Sequence, residues 1–338
     1  MPFSDIRGQD RPVEIIKAYI KNGRLEGGYL FTGPAAIGKK MTAKILSQAL
    51  NCIGNNNEAC GLCPSCLKIE RNNHPDVHII SNDESQVNPV RNTMQGNVNK
   101  MVSNGVKIDA IRRLQKEISL KAYEGRFKVF IIDNAHTLTS EASNCLLKVL
   151  EEPPRGSLII LVTDKPNLLF KTITSRCKVL KFRAIKREEL EAVLKKDYGL
   201  DNGFAHFLAY FSEGRLGEAL KLKDTDILNF KNSIIDKFAV PSTLNIEGIK
   251  VEDRRDVRLS LNILSAWFRD LYFMKSGMPD LELINYDRRP DLLKTVNRFS
   301  HAQLYRIVNV ISNTMSYLEH NINTRLLLYN LKAELWAK

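Results

Sequence analysis

Five short apolar runs dominate the first half of the chain and constrain its fold more than any other feature. Each is rich in Val, Ile, Leu or Phe, and none alternates strictly between apolar and polar residues. Strands buried on both faces look like this, as in a parallel sheet covered by helices. With helical patterns between them, the runs predict a doubly wound α/β domain. The predicted strands are 29–32, 77–80, 129–133, 158–163 and 179–182.

Beyond about residue 184, helical spacing replaces the strand pattern. We therefore predict a sheet domain at 1–183, a small helical domain at 184–236 and an all-helical domain at 237–338. The polar segment 81–104, rich in Asn and Ser, is predicted to be a long surface loop or insertion. The predicted helices of the second half are 187–196, 203–211, 215–222, 257–273, 302–318 and 323–336.

Composition excludes several classes of protein. Apolar residues make up 43% and charged residues 26% of the chain, which excludes a mainly disordered protein. No run of about 18 apolar residues predicts a transmembrane helix, and the first residues do not resemble a secretory signal. We expect a cytoplasmic protein with no membrane association. Its formal net charge of +12 favours polyanionic partners such as nucleic acid or nucleotides.

A glycine-rich loop follows the first predicted strand. Gly33, Gly38 and Lys39 match the phosphate-loop pattern G-x-x-x-x-G-K-[ST] between a strand and a helix. In such loops, backbone N–H groups surround the phosphates and the lysine adds charge. Lys40 stands where a Ser or Thr hydroxyl would bind Mg²⁺, and Thr42 is two residues too late to replace it. The pattern favours a degenerate nucleotide site over an intact one, with a chance Gly-rich turn as the alternative.

The predicted strand 129–133 carries a second element that is typical of nucleotide sites, an acidic residue at the end of an apolar strand. It ends in Asp133, the position that assists Mg²⁺ in phosphate-loop ATPases. A Glu that polarises the attacking water commonly follows, but Asn134 is neutral and cannot act as a general base. Two replaced catalytic positions predict a protein that keeps the fold and has lost hydrolysis.

Four of the six cysteines fall within the segment 52–66. Cys52, Cys60, Cys63 and Cys66 form the pattern C-x7-C-x2-C-x2-C, which can place four thiolates around a tetrahedral Zn²⁺. Thiols stay reduced in a chain without a secretory signal, so a disulfide framework is not expected. The alternative is a set of buried or redox cysteines. Four protein ligands leave no open position, so the predicted zinc is structural.

The stretch 105–154 closely resembles the clamp-loader subunits of bacterial DNA polymerase III, which belong to the AAA+ superfamily. The most specific part is Leu-Leu-Lys-Val-Leu-Glu-Glu-Pro-Pro at 146–154, and the cysteine cluster and Ser175-Arg176-Cys177 match as well. The segment 321–328 resembles the collar ending of the delta-prime branch. The resemblance covers essentially the whole chain and implies an AAA+ domain, a helical lid and a helical collar that oligomerises.

The resemblance also implies roles for single residues. Arg176 matches the arginine finger that reaches ATP held by a neighbouring subunit, a task that suits an always-charged guanidinium. A surface salt bridge is the alternative. Thr163 occupies the first sensor position, whereas Gly217 replaces the arginine of the second sensor. These features, with Lys40 and Asn134, place the chain beside the delta-prime branch rather than the gamma/tau ATPases.

The implied function is that of a subunit that does not hydrolyse ATP itself and helps to load the sliding clamp onto primed DNA. Implied partners are the gamma/tau and delta subunits in a pentamer, the sliding clamp and primer–template DNA. Structural Zn²⁺ is the implied cofactor, with ATP or ADP bound weakly or not at all. The alternatives are a gamma/tau-type ATPase with unusual motifs and a stand-alone AAA+ nucleotide-sensing adaptor.

Basic residues on and around a helix predicted at 108–120 suggest a DNA-binding face. Their side chains could contact DNA phosphates without reading sequence. A solvated charged face is the alternative interpretation. The residues are Lys107, Arg112, Arg113, Lys116 and Lys121.

Overall fold

The computed structural model describes residues 2–23, 25–54, 58–81, 106, 108–236, 254–318 and 323–336. The chain divides into two compact units, one of residues 1–186 with 215–217 and one of residues 187–214 with 218–338. Almost all of the predicted insertion 81–104, and Lys107, lie outside the described residues. Within the described ranges, no helix has the length and apolar character that a bilayer crossing requires.

Five parallel strands form one sheet in the first unit, in the order β2-β3-β4-β1-β5. Every residue of β1, β3 and β4 is buried, because helices cover both faces of the sheet. The prediction of a doubly wound α/β domain is confirmed, and each strand lies close to its predicted position. The strands are β1 Gly27–Thr32, β2 Val77–Ile80, β3 Lys128–Ile132, β4 Ser157–Thr163 and β5 Cys177–Lys181.

Each face of the sheet has its own apolar core, because successive strand residues point to opposite sides. Tyr29 and Phe31 pack with residues of α1, α2 and α3 on one face. Leu30 and Ile159 pack with α4, α5 and α6 on the other face. The helices are α1 Asp10–Lys21, α2 Lys39–Asn51, α3 Pro64–Glu70, α4 Ile108–Ile118, α5 Ser140–Glu151 and α6 Lys171–Thr174.

The described part of the second unit is helical, as predicted, with a few short 3₁₀ turns. Fully buried Lys231 forms an ion pair with Asp287, with 2.6 Å between Nζ and Oδ2. This pair joins residues on either side of position 236, and a domain boundary there stays a prediction. The helices are α7 Arg187–Tyr198, α8 Asn202–Phe211, α9 Leu216–Lys223, α10 Ile227–Ile234, α11 Arg254–Lys275, α12 Arg289–Val296, α13 His301–Leu318 and α14 Thr324–Trp336.

One buried carboxylate anchors the loop that precedes β3. Asp76 is 1% exposed and accepts hydrogen bonds from the backbone N–H groups of Tyr123, Glu124 and Gly125 at 2.7, 2.9 and 2.7 Å. Burial acts to raise the pKa of Asp76, but the three N–H donors outweigh it and the pKa is lowered. The ionised side chain therefore holds the loop in one conformation.

We expect Asp76→Asn to lower the free energy of unfolding by about 1–3 kcal/mol at neutral pH, because the N–H donors lose a charged acceptor. A lowered pKa means that this stabilisation is present above the ordinary Asp pKa of about 3.9 and is lost as the pH falls through the folded-state value. Wild type should therefore lose more stability in acid than the variant. Urea unfolding near pH 7 and near pH 3 measures the difference. Exposed Asp5→Asn is the control, and a variant as stable as wild type at neutral pH would contradict the expectation.

Candidate functional site

The carboxyl edge of the sheet brings together the residues predicted to form the nucleotide site. Thr32 of β1 lies opposite Thr163 of β4, and Gly33 follows Thr32 directly. Asp133 follows β3, which pairs with β4 on the other side. Ligand sites in open parallel sheets occur at this edge, outside the carboxyl ends of the strands.

The lysine of the phosphate loop is bonded to the loop itself. Lys39 Nζ donates hydrogen bonds to Gly33 O at 2.6 Å and to Pro34 O at 2.5 Å, and the residue is 6% exposed. Burial lowers the pKa of Lys39, although the carboxylates of Asp164 and Asp133 act in the opposite direction. A phosphate at this position would have to compete with two carbonyl groups for the ammonium.

Two close backbone contacts and the left-handed conformation of Gly38 shape the loop. Gly33 has a φ of +143°, and a Cβ there would lie 2.3 Å from Phe182 O. Ala36 O accepts a hydrogen bond from Gly217 N at 2.8 Å, and a Cβ on Gly217 would lie 2.7 Å from that same oxygen. Gly38, with a φ of +93°, precedes α2. In this arrangement no side chain fits at position 217, where the ATPases that the chain resembles have their sensor arginine.

An ion pair occupies the side of the loop that would bind magnesium. Lys40 Nζ lies 3.1 Å from Asp133 Oδ2, and both side chains are mostly buried. The residue that replaces the metal-binding hydroxyl therefore neutralises the carboxylate that would assist the metal. Thr42 cannot substitute, because its hydroxyl is buried and donates to Gly38 O at 3.0 Å. A divalent cation placed beside Asp133 would be repelled by the ammonium.

The residues after β3 and at the end of β4 also interact. Asn134 adopts a left-handed conformation with a φ of +51°. The Thr163 hydroxyl lies 3.1 Å from His136 Nδ1 and accepts the Lys165 N–H at 3.0 Å. Sequence reasoning missed His136, although it stands only three residues after Asp133. The Thr163 hydroxyl, predicted to be the first sensor, therefore has two partners within its own chain.

The four clustered cysteines converge on one point. Their Sγ atoms all lie within 4.8 Å of one another. Tetrahedral Zn–S bonds of about 2.3 Å place sulfurs about 3.8 Å apart, so the cluster fits a thiolate-bound metal with only small movements. His74 is used elsewhere, because its Nε2 lies 3.2 Å from Ser65 Oγ. These four thiols are therefore the candidate ligand set.

Backbone N–H groups around the cluster favour thiolates. Cys60 N donates to Cys52 Sγ, Cys63 N to Cys60 Sγ and Cys66 N to Cys63 Sγ, at 3.3–3.4 Å. Hydrogen bonds from the backbone of Leu62 and Cys63 lower the pKa of Cys60 to about 6. Burial and the neighbouring sulfurs raise the pKa of Cys66 to about 12. A bound cation would neutralise this accumulation of negative charge.

Arg176 lies at the amino edge of the sheet, opposite the phosphate loop. Cys177 pairs with Gly28, and Gly33, directly after β1, lies five residues further along the chain, about 16 Å away at 3.3 Å per residue. The Arg176 guanidinium lies 2.8 Å from Glu151 Oε1, and the Arg176 side chain is 36% exposed. It also donates to Thr172 O at 3.1 Å. The salt bridge considered from sequence is therefore present, and the guanidinium still reaches solvent.

Comparison with known proteins gives two family matches. The family described as "DNA polymerase III, delta subunit" matches residues 8–186, and "DNA polymerase III, delta subunit, C terminal" matches residues 234–334. The chain is 30% identical over 219 residues to DNA polymerase III subunit delta' of Bacillus subtilis, covering 64% of this chain and 60% of that protein. It is 31% identical over 231 residues to subunit tau of Escherichia coli, covering 67% of this chain and 33% of that protein. The chain thus spans less than two thirds of the length of these relatives.

Solved structures show weaker likenesses. A DNA polymerase III gamma subunit-related protein of Thermotoga maritima is 16% identical, with a TM-score of 0.43 and coverage of 95% of this chain and 98% of that chain. The RuvB branch-migration motor of the same organism is 16% identical, with a TM-score of 0.44 and coverage of 87% and 88%. Likenesses at this level carry no argument about function, so the assignment depends on the family matches and the site.

We expect Cys63→Ser to abolish stoichiometric metal binding. The Cys63 side chain caps α3 by accepting the Cys66 N–H of its first turn. Serine can accept the same hydrogen bond, so the variant removes a thiolate while preserving the helix cap. Metal analysis of protein purified without chelator should give about one ion per wild-type chain and far less for the variant. Cys145→Ser is the matched control, because Cys145 bonds to Gln115 outside the cluster. Equal metal content in all three proteins would contradict the assignment.

Proposed function

Because the chain belongs to the DNA polymerase III delta-subunit family, we propose that it is a delta-prime-like subunit of the replicative clamp loader. It assembles in the cytoplasm with gamma/tau and delta subunits in a pentamer and helps to load the sliding clamp onto primed DNA. Its own contribution to ATP hydrolysis is Arg176, supplied as an arginine finger to ATP on a neighbouring subunit.

The position of Arg176 is the observation that carries this proposal. The guanidinium lies a strand length away from the phosphate loop of its own chain and is partly exposed. It therefore cannot serve a nucleotide bound to the same chain. A second subunit can present a γ-phosphate to it, and the guanidinium would then exchange Glu151 for phosphate oxygens.

The geometry of the carboxyl edge supports a subunit that does not turn over ATP. Lys40 pairs with Asp133 in place of a magnesium ligand. Asn134 offers no base, and Gly217 lies against Ala36 where a sensor arginine would not fit. Bound Mg²⁺ would neutralise charge at the transferring phosphate. The residues at this edge do not fit a Mg²⁺ site, because Lys40 is paired with Asp133. ATP or ADP binds weakly or not at all in this proposal.

Zinc is the metal that best suits the cysteine cluster. Thiolates are soft ligands, and a four-thiolate tetrahedral set is typical of structural zinc sites. Cys52, Cys60, Cys63 and Cys66 would hold the ion between the end of α2 and the start of α3. With four protein ligands, no position remains for water or substrate, so the ion contributes folding energy rather than catalysis.

Exposed apolar side chains on the last helices support assembly into a collar. Tyr305 and Tyr317 of α13 are 64% and 52% exposed, and Leu326 and Tyr329 of α14 are 59% and 66% exposed. Large aromatic residues in such positions are typical of protein interfaces. This feature, with the family match at 234–334, favours a clamp-loader subunit over a stand-alone adaptor. The identity with tau keeps a gamma/tau-type ATPase as the second candidate.

We expect the isolated chain to show no ATP turnover above background, because Lys40 cannot ligate Mg²⁺ and Asn134 cannot polarise water. A phosphate-release assay with the purified chain tests this. Lys39→Ala identifies contaminating activity, since that activity would be the same in both preparations. Turnover by the wild type that disappears in Lys39→Ala would favour the ATPase candidate.

We expect Arg176→Ala to leave the chain able to assemble and to lower the ATPase rate of the reconstituted loader. A finger supplied in trans is worth roughly a thousandfold or more at one site, and the other sites remain, so total turnover should fall in part. Lys171→Ala is the matched control, an exposed cation on α6, which ends two residues before Arg176. Clamp- and DNA-stimulated ATPase rates give the measurement. Unchanged rates in a normally assembled Arg176→Ala complex would remove Arg176 from the mechanism, whereas failure of that variant alone to assemble would support a structural salt bridge.

A further inference from the structure

A basic cavity lies at the amino edge of the sheet, opposite the phosphate loop. Its volume is about 230 Å³, and it is formed by the end of α4, the start of β3 and the start of β4. Four of its eleven lining residues are basic, namely Lys121, Arg126, Lys128 and Arg155, and the other seven are uncharged. A cavity with this lining attracts anions.

Backbone carbonyl groups hold two of these cations in place. Lys128 is 5% exposed, and its Nζ donates to Glu117 O at 2.7 Å. Arg126 Nη2 donates to Cys52 O at 3.0 Å. A carbonyl satisfies a hydrogen bond without neutralising an ammonium, so buried Lys128 contributes positive charge to the cavity. Lys121 and Arg155 are exposed and can adjust to a ligand.

An aromatic ring is displayed next to this cavity. Tyr123 follows the lining residue Ala122 and is 86% exposed, and the lining residue Leu120 is 62% exposed. The backbone at Tyr123 is fixed by its hydrogen bond to buried Asp76. The ring therefore stands on a rigid loop, and a ligand that stacks on it loses little additional loop entropy.

We propose that this face binds single-stranded nucleic acid, with backbone phosphates in the basic cavity and a base stacked on Tyr123. Cations beside an exposed aromatic ring are the combination that binds single strands with little sequence preference. A single strand fits better than a duplex, because only an unstacked base can offer its face to the ring. This site shares Lys121 with the residues hypothesised from sequence to contact DNA phosphates, and it adds Tyr123 and the other three cations of the cavity.

Fluorescence anisotropy of the full, metal-loaded chain with a labelled oligothymidylate of about 12 nucleotides tests the proposal. Tyr123→Ala should weaken binding about tenfold, and Tyr123→Phe should bind as wild type, because stacking needs the ring and not the hydroxyl. Arg155→Ala should weaken binding and reduce the slope of log K against log salt by about 0.7, the value for one lost phosphate contact. Arg11→Ala and Tyr198→Ala, exposed residues elsewhere, should bind as wild type.

Three results would overturn the proposal. The first is an absence of binding by the wild type at low salt. The second is wild-type affinity in both Tyr123→Ala and Arg155→Ala. Both side chains are exposed, so these variants should fold as wild type does. The third is equal displacement of the oligonucleotide by an oligoglutamate of the same charge, which would identify an acidic protein segment as the ligand instead.

Discussion

The parallel pairing of β1 with β4 on one side and β5 on the other is the constraint on which the remaining structure depends. It buries every residue of β1 and fixes which edge of the sheet each loop occupies. Gly33 and Thr163 meet at the carboxyl edge because Thr32 lies opposite Thr163. Arg176 lies at the amino edge because Cys177 lies opposite Gly28. The separation between the phosphate loop and the proposed arginine finger is therefore a property of strand register.

At the carboxyl edge, contacts within the chain occupy the groups that would otherwise handle nucleotide. Lys39 bonds to loop carbonyls, Lys40 to Asp133, and Gly217 to Ala36. Each contact satisfies a polar group that would be costly to leave unpaired. The replacements at Lys40 and Asn134 both act against hydrolysis. An ammonium beside Asp133 makes a bound metal ion unfavourable whatever residue stands at 134. The amino edge differs, because the side chains of Lys121 and Arg155 are exposed there.

Much of the fold was predictable because its signals are local. Strands that lie in the middle of a parallel sheet are apolar on both faces, and the runs that include Tyr29, Val129 and Leu158 showed this directly. The cysteine cluster was predictable for a similar reason, since two nested C-x2-C steps bring thiols together through short turns. The absence of a hydroxyl at Lys40 was visible in the loop pattern itself. None of these inferences needed long-range contacts.

The sequence by itself determined the secondary structure, the positions of the phosphate loop and cysteine cluster, and the family to which the chain belongs. Only the tertiary structure decided which partner each polar group has. Glu151 meets Arg176 from 25 residues away, and Asp76 receives N–H groups from a loop that begins 47 residues later. The basic cavity likewise combines α4 with the starts of two strands. Periodicity and spacing report only neighbours along the chain, whereas these contacts depend on how the sheet and its helices pack.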